Sequence, residues 1–530
     1  MVLLSVWLIV SLLLTHFLTQ DPFAPGLNYD EAVFAGLAKD FLKGQPHGDH
    51  MPGVVTVDFF GHPFPVFVQS YLGAVKCWLI LPGFALFGSS LAVLRGTALG
   101  WSLFGLLIFM LWTRRLMGLP GALIAGPLLG LDPSYFFTTV YDWGSVMPSL
   151  LCRFAAFNLL LRWWQKRKLR DFFLASFFFG MGFFNKVDFV VILFGSGLAL
   201  LITHRQEMSL AIRATTLGKF ALGGLGFLVA AAPMVLCLGN IFRDVTSARA
   251  PYATPELAIK VHTALAMYDG SYFWRLMNVG GRFDQMFAIN PAVWTPFGLG
   301  VLLGSLFLAA QVFRRFHTQS EWRLQAFLVL TAAFETLGFL MLPLANRIHH
   351  ALLVYPFPHL IITAALVQFW PTGSATRISR SLRRALVVGF ALVLISGHLL
   401  AIRKTEGLVR ATGGRGWWAN ALSDLCSEVK GRADLTIVSL DWGFNEQLLF
   451  LTDGPHLSEP FRDLAPGDDL QLTESPTNIY LVHSPAYTMF RFGPDFWRRI
   501  QARNSSKVMI LTYRDRENEI AFYAIRFRPN

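Results

Sequence analysis

Long apolar runs recur along the chain from residue 2 to about residue 400, and short polar or basic segments separate them. A bilayer core about 30 Å thick needs roughly 20 apolar residues per helical crossing. Strands of a transmembrane barrel would alternate apolar and polar residues, whereas these runs are continuous. The pattern predicts a mainly α, polytopic transmembrane helical bundle of about 11 spans, at residues 2–18, 90–112, 119–140, 143–161, 171–184, 187–203, 217–239, 293–313, 324–343, 351–370 and 385–402.

Three stretches depart from this pattern. Residues 19–65 and 240–292 are polar enough to be long loops, and residues 64–86 are apolar but interrupted by Pro65, Lys76 and Pro82, so we predict a partial or interfacial helix there. Beyond residue 402 the runs become short or alternating. We predict a transmembrane domain at 1–402 and an α/β domain at 403–530, with strands at 434–440 and 478–482, helices at 417–429 and 495–502, and a hairpin at 507–513 and 519–527.

Charge indicates the orientation of the bundle. Only 15% of the 530 residues are charged, yet the net charge is +12, a balance that can indicate nucleic-acid binding. The Lys and Arg residues instead cluster in short loops near residues 114, 166, 209, 314 and 380, as cytoplasmic loops do. If residues 64–86 do not cross the membrane, all five clusters share one side. The N-terminus is then cytoplasmic, the α/β domain lies outside, and no nucleic-acid partner is expected.

Acidic residues occur at the predicted outer turns. Asp30 and Glu31 precede an amphipathic stretch at residues 32–42, where Asp30 or Asn28 could cap a helix or Asp30 could take a proton from an acceptor hydroxyl. Asp142, at the next outer turn, could likewise cap a helix or act as a second catalytic acid. Glu335 lies within a predicted span, where an ionisable residue indicates either function or helix packing.

Basic residues also lie at these turns. Lys186 and Asp188 form the third outer turn, Arg95 lies near the outer end of its span, and Arg347 precedes His349 and His350. Arginine and lysine can bind phosphate oxygens, although each could equally contact lipid headgroups. The adjacent histidines cannot share a helix face, and the four cysteines lack CxxC spacing, so no dedicated zinc site is predicted. The metal assignment stays unknown, with a loosely held divalent cation at the acids left open.

The chain resembles the GT-C superfamily of membrane glycosyltransferases, in particular the family 39 group of dolichyl-phosphate-mannose protein mannosyltransferases and bacterial lipid A aminoarabinose transferases. The similarity lies in the order of short motifs: Asn-Tyr-Asp-Glu at 28–31, His-Pro-Phe-Pro at 62–65, Leu-Phe-Gly at 86–88 followed by Leu94 and Arg95, Asp142, residues 182–186 and residues 347–356. The resemblance covers the layout of residues 1–400.

The resemblance implies roles for several residues. Asp30 resembles the family's general base, with Glu31 beside it and Asp142 as a second acid, while Lys186 and Arg95 resemble donor-phosphate contacts. His62 stands where relatives carry a lysine or histidine before proline, but Gly61 replaces the preceding glutamate of the aminoarabinose transferases. This difference argues against a metal ion shared with them. Asp188, Arg347 and His349 complete the predicted substrate-binding set.

The resulting hypothesis is a multi-pass glycosyltransferase of a bacterial inner membrane. It would transfer a hexosyl or pentosyl group from a polyprenyl-phosphate donor to a lipid, glycan or protein hydroxyl on the outer face. A transporter or lipid flippase with an outer sensing domain is the alternative, although transporters place charges near the midplane in paired repeats, and no repeat is evident. A purely structural or sensor protein would leave the aligned acids unexplained.

Overall fold

The computed structural model describes the chain except residues 46–49, 52, 142, 214, 248–256, 316–321, 344, 372–376, 462–474, 503–507 and 529–530. Helices form most of it. Their bounds are α1 Val2–Gln20, α2 Tyr29–Lys43, α3 Val75–Phe87, α4 Leu91–Gly130, α5 Pro133–Val140, α6 Val146–Lys166, α7 Leu169–Asn185, α8 Val190–Thr203, α9 Arg205–Arg213, α10 Leu217–Ser247, α11 Leu257–Tyr268, α12 Tyr272–Asn278, α13 Phe297–Arg315, α14 Trp322–Met341, α15 Ile348–Ala351, α16 Phe357–Phe369, α17 Arg377–Thr412, α18 Ala421–Val429, α19 Asn445–Leu451 and α20 Phe492–Ala502.

The number of candidate membrane-crossing helices depends on how bent helices are counted. By length and composition, eight helices in the described ranges could cross a membrane, or nine if α8 and the sharply bent α9 form one span. The predicted spans at 119–140, 171–184 and 187–203 account for the difference from 11. The second of these corresponds to α7, whose 17 residues rise only about 26 Å. The chain is a multi-pass membrane protein, and the exact number of its crossings stays a prediction.

Helix α4 contains a reversal at Gly118. This residue has a backbone φ of 74°, in the left-handed region that glycine adopts without strain. A Cβ on Gly126 would lie 2.7 Å from Met110, and one on Gly130 would lie 2.8 Å from Leu106. The two halves of α4 therefore run antiparallel, as the separate predictions at 90–112 and 119–140 require. Asp132 then caps α5 by accepting hydrogen bonds from Ser134 N and Tyr135 N.

The first loop, residues 19–65, is more structured than predicted. It contains the amphipathic helix α2 and most of an antiparallel three-stranded sheet, formed by β1 Val55–Phe59, β2 His62–Gln69 and β3 Leu72–Gly73 in that order. The sheet was not predicted. It occupies the start of the apolar stretch at 64–86, and the helix that follows, α3, has 13 residues and rises about 20 Å. This helix is too short to cross the membrane alone, which agrees with the predicted partial helix.

The C-terminal region contains a five-stranded mixed sheet. Its strands are β4 Thr436–Ser439, β5 His456–Ser458, β6 Asn478–His483, β7 Val508–Arg514 and β8 Ile520–Phe527, in the order β5-β4-β6-β8-β7. Strand β4 pairs in parallel with β5 and β6, and β8 pairs antiparallel with β6 and β7. The predicted strands and closing hairpin are present, whereas β5 and α19 were not predicted. Helix α17 continues to Thr412, past the predicted boundary at residue 402.

Candidate active site

Asp30 lies in the first turn of α2 but does not cap it. The cap is Asn28, whose side chain accepts from Asp30 N at 3.0 Å, while the Glu31 carboxylate accepts from Asn28 N at 3.4 Å. This reciprocal arrangement is a capping box. The Asp30 carboxylate instead accepts a hydrogen bond of 2.5 Å from Trp143 Nε1, which follows the second predicted outer turn. The capping function thus belongs to Asn28, and the Asp30 carboxylate remains available for chemistry.

Three cations surround the Asp30 carboxylate. Burial raises the pKa of Asp30 above its usual value, while the Trp143 N–H and the charges of Lys76, Lys186 and Arg347 act in the opposite direction. A carboxylate with a raised pKa is a stronger base than an ordinary aspartate, and the nearby cations keep its charged form accessible. The electrostatics therefore suit proton acceptance next to an anionic ligand.

Asp30 lines a small, partly open cavity. Lys186, His349, His350 and Met51 also line it, and its volume is about 70 Å³. Pockets that hold small molecules usually measure about 300–1,000 Å³. A bulky ligand could therefore enter only if part of the wall moves.

The third predicted turn brings Lys186 and Asp188 into this site. Lys186 Nζ lies 3.0 Å from Asp188 Oδ2 and 3.2 Å from His350 Nδ1, and His350 Nδ1 lies 3.0 Å from the same carboxylate oxygen. The backbone of Lys186 forms a β-bridge with Leu72 of β3. The sheet of the first loop thereby fixes the turn beside Asp30.

His349 and Arg347 form another side of the site. The His349 ring packs edge-on against Trp143, with centroids 5.4 Å apart. Gly144 has φ 67°, and a Cβ there would lie 2.6 Å from the His349 ring, so only glycine fits. Burial lowers the pKa of Arg347 to about 10, which leaves it charged at neutral pH. In the described ranges its guanidinium packs over Phe283 and makes no hydrogen bond or ion pair, so its donors are available to an anion.

Arg95 and Glu31 form a buried pair that does not match their predicted roles. Arg95 Nε and Nη2 donate to the two Glu31 carboxylate oxygens at 2.8 and 3.0 Å, and both side chains are fully buried. The remaining Arg95 donors reach the carbonyl oxygens of Pro22, Pro25 and Gly26. Because protein acceptors occupy all five N–H groups, we assign Arg95 and Glu31 the positioning of the first loop, in place of the predicted phosphate contact and catalytic acid.

His62 lies away from Asp30. Its Nδ1 contacts Phe41 O at 2.6 Å, near the C-terminal end of the helix that begins beside Asp30. Eleven helical residues between positions 30 and 41 correspond to about 16 Å. His62 thus packs against the end of α2, and its substrate-binding role stays a prediction. Asp142, the predicted second acid, lies outside the described residues.

Two residues of the site were not predicted from the sequence. Lys76 in α3 is fully buried, with Nζ 4.1 Å from the centre of the Phe34 ring. In the sequence it interrupts an apolar segment, and a lone cation in such a segment is a signal of function. Trp143, which donates to Asp30, has no comparable signal in the sequence because aromatic residues occur throughout the chain.

The intramembrane residue Glu335 is fully buried in α14, and neither of its carboxylate oxygens has a hydrogen-bond partner in the described ranges. Its charge interacts with that of Arg153 in α6, which also interacts with Asp188. Arg153 is thus an electrostatic link between the bundle interior and the third turn.

Acids and histidines are the side chains here that could bind a metal ion. No group of three or more such side chains in the described ranges could hold a metal ion. Asp30 faces cations instead of further carboxylates, which is unfavourable for a second positive ion. The divalent cation considered from the sequence stays a prediction.

Comparison with known proteins identifies the fold. Residues 73–237 match the profile of the dolichyl-phosphate-mannose-protein mannosyltransferase family. The structure is similar to ArnT from Cupriavidus metallidurans, with a TM-score of 0.59 in the apo state and 0.54 with bound undecaprenyl phosphate, at 14% identity over 98% of this chain and 97% of that one. The Archaeoglobus fulgidus oligosaccharyltransferase gives a TM-score of 0.54 at 15% identity over 87% of this chain and 64% of that one. No curated protein matches in sequence.

Proposed function

From this GT-C fold and the family match within it, we propose that the chain is a membrane glycosyltransferase that uses a polyprenyl-phosphate-linked sugar donor. The observation that carries the proposal is the half-buried Asp30 carboxylate surrounded by Lys76, Lys186 and Arg347. The undecaprenyl phosphate bound by ArnT supports the class of donor. Cations suit the phosphate of such a lipid, and the carboxylate suits an acceptor hydroxyl.

The proposed reaction is an inverting transfer. The acceptor oxygen attacks the anomeric carbon and forms the new glycosidic bond, while the bond from that carbon to the phosphate oxygen breaks and polyprenyl phosphate leaves with the bonding electrons. Asp30 takes the hydroxyl proton. Lys186 and Arg347 hold the phosphate and stabilise the charge that develops on the leaving oxygen. Trp143 orients the Asp30 carboxylate through its N–H.

The cellular setting is part of the proposal. The short basic loops favour an orientation in which the site and the C-terminal α/β domain, residues 403–530, face the outside of a bacterial inner membrane. The transmembrane domain, residues 1–402, would then bind the lipid-linked donor from the bilayer. The transferred group is a hexose or pentose, and the acceptor is a lipid, a glycan or a protein with an accessible hydroxyl.

A reconstituted transfer assay tests this proposal. The purified chain in lipid vesicles is given radiolabelled hexosyl and pentosyl polyprenyl phosphates with a membrane extract as acceptor. We expect transfer of label and release of polyprenyl phosphate. If no metal takes part, both should be unchanged when a chelator is added. Label that crosses the vesicle membrane on an intact lipid, with no bond cleaved, would instead support a flippase.

A pair of lysine variants tests the donor site. Lys186→Met removes a cation beside Asp30, so we expect the KM for the donor to rise about 10- to 100-fold, the loss typical of a charge-assisted contact to phosphate. Lys43→Met is the matched control, because Lys43 is 41% exposed and pairs with Asp453 away from the cavity. Equal donor KM values in the two variants would contradict the assigned phosphate contact.

A further inference from the structure

A buried polar cluster joins the first loop to the C-terminal region. His50 Nε2 lies 2.6 Å from Asp40 Oδ2 in α2, and His50 Nδ1 lies 3.0 Å from Glu446 Oε2 in α19. The side chains of Asp40 and Glu446 are 4% and 0% exposed. We call these three residues the Asp40–His50–Glu446 clasp. A buried carboxylate is costly unless it is paired, so the clasp requires both carboxylates to face the imidazole.

The clasp bears a positive charge at its centre. Burial alone would lower the pKa of His50, but its hydrogen bonds to Asp40 and Glu446, together with their charges, raise it to about 9. The cations of α2 nearest this interface make their hydrogen bonds and ion pairs to other groups of the C-terminal region. Lys39 Nζ donates to the carbonyl oxygens of Leu449, Phe450 and Thr452 at 2.7–3.1 Å, and both Lys39 and Lys43 pair with Asp453.

The clasp is connected to the reaction cavity through one residue. Met51 follows His50, and Met51 N donates to the second Glu446 carboxylate oxygen at 2.7 Å. The Met51 side chain lines the cavity that contains Asp30. The Glu446 carboxylate therefore holds both His50 and the part of the cavity wall that Met51 forms.

We propose that the C-terminal region is a working part of the active site, because Glu446 and His50 act as positioning residues that hold the Met51 wall over Asp30. The inference rests on the proposed function of Asp30. With the wall in place, the carboxylate stays buried and water is excluded from the reacting groups. With the wall displaced, Asp30 gains water, its pKa falls towards that of an ordinary aspartate, and the acceptor loses its alignment.

The pH dependence of the clasp has a defined sign. The folded-state pKa of His50, about 9, exceeds the unfolded value of 6.5, so protonation favours the closed arrangement. This contribution is fully present below pH 6.5, decreases as the pH rises and is lost above about pH 9. The closed wall is thus expected throughout the neutral range.

The test compares Glu446→Gln with Lys43→Gln. Glu446→Gln keeps an acceptor for Met51 N but removes the charge that sustains protonated His50, whereas Lys43→Gln removes an exposed pair at the same interface. Amide hydrogen exchange of residues 50–59 and the pH profile of kcat/KM are measured on the full chain in vesicles. For Glu446→Gln we expect faster amide exchange of residues 50–59. We also expect kcat to fall about 10- to 100-fold with little change in donor KM, and the acid limb of kcat/KM to shift to lower pH. Lys43→Gln should match the wild type.

The outcomes separate this inference from the proposed function. Unchanged exchange in Glu446→Gln would overturn it, as would faster exchange with an unchanged kcat and acid limb, because the wall would then not control Asp30. If the wild type transferred no sugar, the proposed function would fail. Exchange of residues 50–59 would still decide whether the C-terminal region holds the wall.

Discussion

At the scale of single residues, the chemistry of the site depends on which side chain pairs with which. Asp30, Lys186 and His349 were all predicted, and the structure places them around one cavity, with the predicted Asp188 3.0 Å from Lys186 Nζ. The sequence left open whether Asp30 or Asn28 caps α2, because both residues are good caps. Only the position of Trp143, 113 residues away along the chain, shows that the Asp30 carboxylate is engaged elsewhere. Partners this distant are set by tertiary packing.

The Trp143 contact predicts a pH effect. Its N–H lowers the pKa of Asp30, so Trp143→Phe should raise that pKa and move the acid limb of kcat/KM to higher pH. Trp101→Phe is the matched control, because Trp101 Nε1 donates to Leu79 O away from Asp30. The profiles are measured in the transfer assay from pH 4 to pH 8. An acid limb that stays at the wild-type position in Trp143→Phe would rule out this role for the N–H.

At the scale of secondary-structure elements, the long helices were predicted better than the short ones. Continuous apolar runs identify helices such as α13 and α14 because burial in lipid dominates their sequence. The sheet of strands β1 to β3 was not predicted. Phe64, Pro65 and Val66 of β2 are equally compatible with the start of an apolar helix. The same ambiguity applies to any short apolar run. It concealed the sheet that fixes Lys186 through its bridge to Leu72.

The attachment of α2 to α4 predicts a stability effect. Arg95→Met leaves the buried Glu31 carboxylate without a compensating positive charge, which should reduce the free energy of unfolding by about 3–5 kcal/mol. Adding Glu31→Gln removes the uncompensated charge. The double variant should therefore lose less free energy of unfolding than the two single variants lose in sum. Unfolding in detergent followed by circular dichroism measures this. If the losses of the two single variants simply add up in the double variant, the interaction between Arg95 and Glu31 does not contribute to stability.

At the scale of the whole molecule, the distribution of charge predicted a membrane bundle with basic loops on one side. The structure confirms a multi-pass helical fold with a C-terminal sheet. The count of 11 spans stays a prediction, because the two halves of α4, which meet at Gly118, form one helix by length and α7 has only 17 residues. The contact between α2 and α19 was also beyond prediction, since it joins positions about 400 residues apart.

Cysteine labelling tests the orientation. Arg114 is exposed at the reversal of α4, and the Asp434 side chain is 60% exposed in the C-terminal region. In intact cells, a membrane-impermeant thiol reagent should label Asp434→Cys directly and Arg114→Cys only after permeabilisation. Three of the four native cysteines are buried, which keeps the background low. Labelling of both positions from the same side would refute the orientation derived from charge.

The central claim, that Asp30 is the base of a sugar transfer from a polyprenyl-phosphate donor, is tested most directly by one rate comparison. Transfer of labelled sugar is measured for the wild type, Asp30→Asn and the control Asp434→Asn, whose carboxylate is exposed and pairs with Arg432. Loss of a general base should reduce kcat about 10²- to 10⁴-fold in Asp30→Asn, while Asp434→Asn keeps the wild-type rate. A wild-type rate in Asp30→Asn would contradict the claim.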